Sequence, residues 1–324
     1  MYAFGGFVIA GWDGIVNIQL KEIKMANQTF DAKDLVTPNS VAHELAEQVM
    51  PAKANFKKTK TFALAIAAGA LIAFGAQVSL TVMTGTAENL SWGIAKLVGA
   101  MTFATGLMMV VLTGAELFTG NVMMTFSVIE KRIGFAKLLR NWTIVYAGNF
   151  IGSVLIALLI YYSGCSHNSH EALGVLSLTT AYQKVNLTWV EAFTRGILCN
   201  WLVCLAIWMA SSARLVIGKI FAIFFPIMTF VASGYEHSIA NMFFLTNGLF
   251  AKHTASIAAA SGLTAQQLST LNIKSIFTSN LIPVTLGNMV GALVFVVLLF
   301  WTAYLQDEHR KEKEMQKAEI QENK

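Results

Sequence analysis

Apolar residues fill long stretches of this chain, and the longest hold no charge. The runs from Thr61 to Ala87, Asn141 to Gly164 and Ser275 to Leu305 contain no Asp, Glu, Lys or Arg. Each exceeds the roughly 20 residues a helix needs to cross hydrocarbon. Apolar segments recur near residues 61–84, 92–128, 141–163, 188–212, 220–250 and 276–305, which predicts an all-α membrane protein with six transmembrane helices. Two segments stand apart. From Leu97 to Ile129 a single charge, Glu116, interrupts a stretch too long for one simple crossing, with Gly114 and Gly120 beside it. Between Ile220 and Phe250 the ionisable side chains are Tyr235, Glu236 and His237, next to Gly234. Glycine is disfavoured in helix interiors and favoured where backbone bends, so the second and fifth spans are expected to be broken helices.

Placed side by side, Gly114-Ala-Glu116-Leu-Phe-Thr119-Gly120-Asn121 and Gly234-Tyr-Glu236-His237-Ser-Ile-Ala-Asn241 share the pattern G-x-E-x-x-x-x-N. The following spans also match. Asn141 leads into Gly148-Asn149-Phe-Ile-Gly152 and Asn280 into Gly287-Asn288-Met-Val-Gly291, giving N-x6-G-N-x-x-G twice. Two matches in the same order imply duplicated halves, about 61–163 and 188–305. Each half has an odd number of spans, so the second enters the membrane upside down. In such inverted repeats, paired discontinuous helices meet near the midplane and build the substrate pathway. Glu116, Glu236, Asn121 and Asn241 are expected mainly to satisfy backbone groups freed at the breaks, with Glu236 and Asn241 also candidates for the substrate pathway. The G-x-x-x-G spacings read as close helix packing.

Positive charge sets the orientation. Lys53, Lys57, Lys58 and Lys60 precede the first span, and Lys131, Arg132, Lys137 and Arg140 follow the second. Arg214 and Lys219 follow the fourth, Arg310 and Lys311 the sixth, while the alternate connections offer only Lys184, Lys252 and Lys274. By the positive-inside rule both termini are cytoplasmic. Residues 1–24 form an unassigned extension that is neither a clean span nor a standard signal peptide, and Met25 is an alternative start. Residues 25–60 are a cytoplasmic segment. Within it Thr37 can cap, and Pro38 can open, an amphipathic helix over 37–50 with Val41, Leu45 and Val49 on one face, packed on the channel mouth or acting as a mobile gate. The channel domain is expected over 61–306, with a charged cytoplasmic tail over 307–324.

Composition narrows the function. Of 324 residues 55% are hydrophobic and 13% charged, which excludes an ordinary soluble domain. The net charge of +5 lies largely beside apolar segments, a membrane-orientation pattern rather than a nucleic-acid footprint. Cys165, Cys199 and Cys204 have no metal-ligand spacing, and Glu236-His237 lacks a second histidine for zinc. No cofactor is called for. No G-x-x-x-x-G-K-[ST] loop is present, so transport would be passive or ion-coupled rather than enzymatic. His237 is the histidine that lies inside an apolar span, and an ionisable group there is a functional hypothesis by default.

Several motifs carry a resemblance: KLVG at Lys96–Gly99, GAELFTGN at 114–121, VYAGNFIG at 145–152, VASGYEHSIANM at 231–242 and NLIPVTLGN at 280–288. From about Phe30 to Leu305 the chain resembles the formate/nitrite transporter family, closest to its formate channel branch. The resemblance implies an aquaporin-like inverted repeat with broken second and fifth helices, assembled in the cell (inner) membrane as a homopentamer with one pore per subunit. It implies that Leu107 and Phe230, with Phe103 nearby, narrow the pore on one side and Leu117 on the other. It sets Thr119, in the loop breaking span two, opposite His237, places Lys184 as an anion attractor in the external vestibule, and puts Asn200 near the pore. Arg195 departs from the family pattern and adds charge near span four.

The expected substrate is formate, with nitrite or hydrosulfide as alternatives in the same fold. A neutral-solute channel is disfavoured by the missing Asn-Pro-Ala repeats. In bulk water a proton prefers imidazole to a carboxylate by about 2.5 pH units, roughly 3.4 kcal/mol. An apolar pore penalises the charged pair and narrows that gap, so His237 could hand a proton to the passing anion.

Overall fold

The computed structural model describes residues 35–86 and 91–306, so the expectations for residues 1–24 and for the tail 307–324 lie outside the described residues. The described chain is helical, with one isolated antiparallel bridge between Leu35 and Ala213. Helical backbone is what a hydrocarbon environment demands, because each N–H and C=O is paired within the segment. Among the described residues five helices are long and apolar enough to cross a membrane: α2 (Lys58–Met83), α3 (Trp92–Thr113), α5 (Phe135–Tyr162), α7 (Trp189–Ser212) and α10 (Ile273–Tyr304). Between them lie α4 (Phe118–Ile129), α6 (Ala172–Val185), α8 (Val216–Ala232) and α9 (Ser238–Lys252).

The packing repeats. α2 lies along α3 and α5 in the first half, and α7 lies along α8 and α10 in the second. Glycines permit this closeness. A Cβ on Gly152 would run into the Ile66 carbonyl, and one on Gly287 or Gly291 into the carbonyls of Phe193 or Ile197. The G-x-x-x-G spacings are therefore backbone-contact sites. Large apolar side chains such as Phe74, Leu155, Leu159, Phe221, Phe225 and Leu298 face outward.

Ahead of α2, residues 38–54 form a helical segment, α1. Thr37 Oγ1 accepts the Ser40 N–H at 3.3 Å, and Pro38 opens the first turn. Val41 and Leu45 are fully buried. Ser127 Oγ donates to the Ala46 carbonyl at 2.6 Å, Arg132 pairs with Glu47 at 2.6 Å, and Arg140 donates to the Ala54 carbonyl. The segment is thus bound to the short α4 half-helix, its loop and the start of α5, which places its last turn beside Glu116.

Candidate functional site

The geometry of the two breaks follows from two glycines. α3 ends at Gly114 with φ +70°, and α8 runs out through Ser233 to Gly234 with φ +73°. Both lie in the left-handed region that glycine enters without steric cost. Three residues later the chain is extended, at φ −105° and ψ 126° for Leu117 and φ −106° and ψ 116° for His237. A new helix then starts in each half. The sequence pattern had aligned these residues, and the structure gives them one backbone conformation.

A broken helix inside an apolar protein exposes backbone groups that must find partners. Asn149 Oδ1 accepts the Phe118 N–H at 2.9 Å, while its Nδ2 donates to the carbonyls of Ala65 (2.8 Å) and Glu116 (2.9 Å). Asn288 repeats this with the Ser238 N–H at 2.9 Å and the carbonyls of Gly196 (2.8 Å) and Glu236 (2.9 Å). The N–H groups of Glu116 and Glu236 donate to Leu64 and Arg195 carbonyls at 3.2 and 3.3 Å. The expectation that Glu116, Glu236, Asn121 and Asn241 satisfy the freed backbone is therefore corrected. Two other asparagines do so, and the carboxylates are left for other work.

Each carboxylate faces a lysine. Glu116, fully buried, meets Lys53 Nζ at 3.0 Å through Oε1 and accepts Asn121 Nδ2 at 2.6 Å through Oε2. Glu236 meets Lys184 Nζ at 2.8 Å through Oε1 and accepts Asn241 Nδ2 at 2.6 Å through Oε2. Asn121 and Asn241 reach on to Asn141 and Asn280 at 2.9 and 2.8 Å. Lys53 and Lys184 stand on α1 and α6, the helices that precede the two halves, so the repeat extends beyond the spans. Lys184 was singled out from the sequence; Lys53 was read only as an orientation charge. Removing one partner of a buried pair strands the other, a cost of about 3 kcal/mol where the lysine keeps some solvent. Lys53→Met is expected to destabilise by that order, and Lys53→Met with Glu116→Gln to recover at least half. Thermal melts of the single and double variants in detergent check this, and a double variant no better than the single would refute it.

His237 is 3% exposed and sits at the N-cap of α9. Its Nδ1 accepts the Ala240 N–H at 3.0 Å. A backbone N–H is always a donor, so Nδ1 carries no proton and the neutral ring bears its hydrogen on Nε2. That Nε2–H donates to Thr119 Oγ1 at 2.9 Å. Thr119 was expected in the loop; it lies in the first turn of α4, buried. Its carbonyl accepts Asn200 Nδ2 at 3.2 Å and Cys204 Sγ at 3.5 Å, and the same Asn200 amide donates to Asn288 O at 2.8 Å. Asn200 thereby ties α4 and α10 to α7. Next to the histidine, on the Lys184 side, is a cavity of about 170 Å³ whose lining includes Phe103, Lys184, Phe230, Glu236, His237 and Asn241.

Comparisons with known proteins place the chain in a family. The sequence profile of the formate/nitrite transporter family matches residues 40–302. The chain belongs to the formate/nitrite transporter family. It is 40% identical over 276 residues to the formate channel FocA of Escherichia coli (strain K12), covering 85% of this chain and 96% of that protein. It is also 40% identical over 263 residues to a probable formate transporter of Methanothermobacter thermautotrophicus, covering 76% of this chain and 90% of that one. Among solved structures, a pentameric formate channel with formate bound has a TM-score of 0.70 at 38% identity, covering 77% of this chain and 98% of that chain.

In this formate/nitrite transporter, the residues carried over by resemblance fall into two groups. Phe103 meets Phe230 edge-on at 5.7 Å, and Phe230 stacks on the His237 ring at 6.0 Å. Leu107 and Leu117 are buried, and neither lines the cavity, nor do Thr119 and Asn200. Gly120 was expected at the break; it lies inside a helical turn, where a Cβ would meet Ile207 Cδ1 at 2.6 Å, so its role is packing. Phe244, missed from the sequence, stacks on Phe103 at 6.4 Å and lies 5.3 Å below Lys184 Nζ. Its position in an apolar run gave no signal beyond the helix pattern.

Proposed function

We propose that this protein is a channel for formate in the cell (inner) membrane, passing the anion with a proton linked through His237. The observation that carries the reading is a titratable ring, held between Ala240 N–H and Thr119 Oγ1, at the break of an apolar helix and beside an anion-attracting lysine. Relatives named formate channels and transporters support the substrate. On this reading six crossings are made by α2, α3 with α4, α5, α7, α8 with α9, and α10. Residues 61–306 are the channel domain, α1 is a cytoplasmic mouth element, both termini are cytoplasmic and five subunits assemble. The chain carries solute rather than catalysing a reaction.

A bare carboxylate entering a low-dielectric constriction costs several kcal/mol more than the neutral acid. A charged imidazole would carry a second N–H on Nδ1, directed at the Ala240 N–H. Giving up that proton restores the helix cap, worth about 1 kcal/mol. The cap therefore biases the ring toward donation to an arriving anion, and Lys184 raises the local anion concentration. Uptake of labelled formate into proteoliposomes, with and without an inward proton gradient, tests the proposal. Saturable uptake that rises with the gradient is expected. No formate flux, with nitrite or hydrosulfide passing instead, would overturn the substrate.

A further inference from the structure

The cavity beside His237 holds more positive charge than the pairing of Lys184 explains. Three cations line it, Lys96 from α3, Lys184 from α6 and Arg195 from α7, against one carboxylate, Glu236. Glu236 is fully committed, with Oε1 on Lys184 at 2.8 Å and Oε2 on Asn241 at 2.6 Å and Asn280 at 3.4 Å. The carboxylate nearest to Arg195 on its own helix is Glu191, one turn earlier. Its Oε2 accepts both the N–H and the hydroxyl of Thr188 at 2.8 Å in the capping box of α7, and it acts on Arg195 through space without a direct ion pair. Among the described residues neither Lys96 nor Arg195 has a hydrogen bond or ion pair through its charged group. Lys96 has the Trp92 ring at 6.0 Å and feels Lys184 and Glu236 through space. The vestibule therefore holds two half-buried cations with no anion in direct contact, though Glu191 and Glu236 act on them through space, and one of them is a guanidinium.

The two chemistries differ. An ammonium is a point charge that attracts any small anion, whereas a guanidinium presents two parallel N–H groups matched to a pair of oxygens about 2.2 Å apart. Formate and nitrite offer such a pair; chloride and hydrosulfide do not. We infer that Arg195 is a specificity-determining residue of the vestibule, selecting planar two-oxygen monoanions over single-centre anions before they reach His237, with Lys96 and Lys184 supplying attraction without discrimination. The fixed backbone supports this role. The Arg195 carbonyl accepts the Glu236 N–H at 3.3 Å, so the backbone from which the guanidinium extends is held at the break that carries His237. The inference rests on the formate-channel reading for its substrate class, but not for its site.

Two measurements test it on the full-length protein. In proteoliposomes, formate uptake is titrated with nitrite and with chloride as competitors. Wild-type uptake is expected to be inhibited by nitrite at concentrations at least ~10-fold below chloride. Arg195→Lys keeps the charge and loses the fork, so nitrite inhibition should weaken about tenfold while chloride inhibition holds. Arg195→Gln should weaken both. An Arg195→Lys channel with the wild-type ratio of nitrite to chloride inhibition overturns the inference. The second measurement needs neither flux nor a variant. Phenylglyoxal modification of Arg195, followed by mass spectrometry of purified wild-type protein, should be slowed by formate or nitrite and not by equal chloride. Protection without formate flux would leave Arg195 as an oxyanion site and remove the formate-channel reading. Equal labelling in all three salts would remove the Arg195 assignment itself.

Discussion

Replacement of Asn288 by leucine is expected to prevent a stable channel from accumulating, and Asn149→Leu to do the same. Each amide is bound to three backbone groups at a helix break: the Ser238 N–H with the Gly196 and Glu236 carbonyls, or the Phe118 N–H with the Ala65 and Glu116 carbonyls. Both asparagines are fully buried, so no solvent replaces the lost partner. An unsatisfied buried group costs about 1–3 kcal/mol, so three together cost about 3–9 kcal/mol. That is comparable to the whole stability of a typical domain, about 5–15 kcal/mol. Asn288→Asp discriminates the cause. Buried there it takes the neutral acid form, which accepts the Ser238 N–H and donates to one of the two carbonyls, so it should fall between wild type and leucine. Thermal melts and size-exclusion profiles in detergent provide the readout. A leucine variant melting within a few degrees of wild type would mean that the break is held by something other than these amides.

Those asparagines also mark where sequence reading stopped. Both stood inside the repeated motif, yet only the flanking glycines were interpreted, because helix spacing reports which residues share a face and not what an amide reaches. The partners of Asn149 and Asn288 lie 31 to 92 positions away along the chain, on α2, α7 and the break loops. Lys53 was invisible for a similar reason. A lysine before an apolar span is the usual sign of orientation, and only the docking of α1 brings it to Glu116 at 3.0 Å. Thr119 and His237 were paired through resemblance rather than periodicity; the structure brings Oγ1 and Nε2 to 2.9 Å. The glycines divided by conformation. Gly114 and Gly234 require positive φ, whereas Gly120, equally suggestive in sequence, is helical and needed for packing against Ile207. Sequence alone cannot separate those two uses of a missing Cβ. Conversely, the symmetry of the two G-x-E motifs was legible, and it extends to the hydrogen bonds: carboxylate to lysine, carboxylate to asparagine, asparagine to a second asparagine, in both halves.

His237→Asn is expected to yield a folded channel whose formate uptake no longer responds to an inward proton gradient. Asparagine is among the preferred N-cap residues, so its Oδ1 can take over the Ala240 N–H from Nδ1, and α9 should keep its first turn. It does not titrate near neutral pH and is too short to fill the place of Nε2 against Thr119 Oγ1. His237→Phe separates the two roles: it keeps the ring that stacks on Phe230 but loses the cap, at a further cost of about 1 kcal/mol of stability. If the proton linkage passes through the imidazole, both variants should lose it and only phenylalanine should also lower the melting temperature. The asymmetry of the repeat is what would let one residue carry the proposed linkage. Leu117 holds the equivalent position in the first half, with the same extended backbone, and it has no group that could bind or release a proton. Gradient-driven uptake is therefore measured with wild type, Asn and Phe in parallel. An asparagine variant that still follows the gradient would move the proton pathway away from His237, leaving Lys184, Glu236 and their asparagines as the groups to examine next.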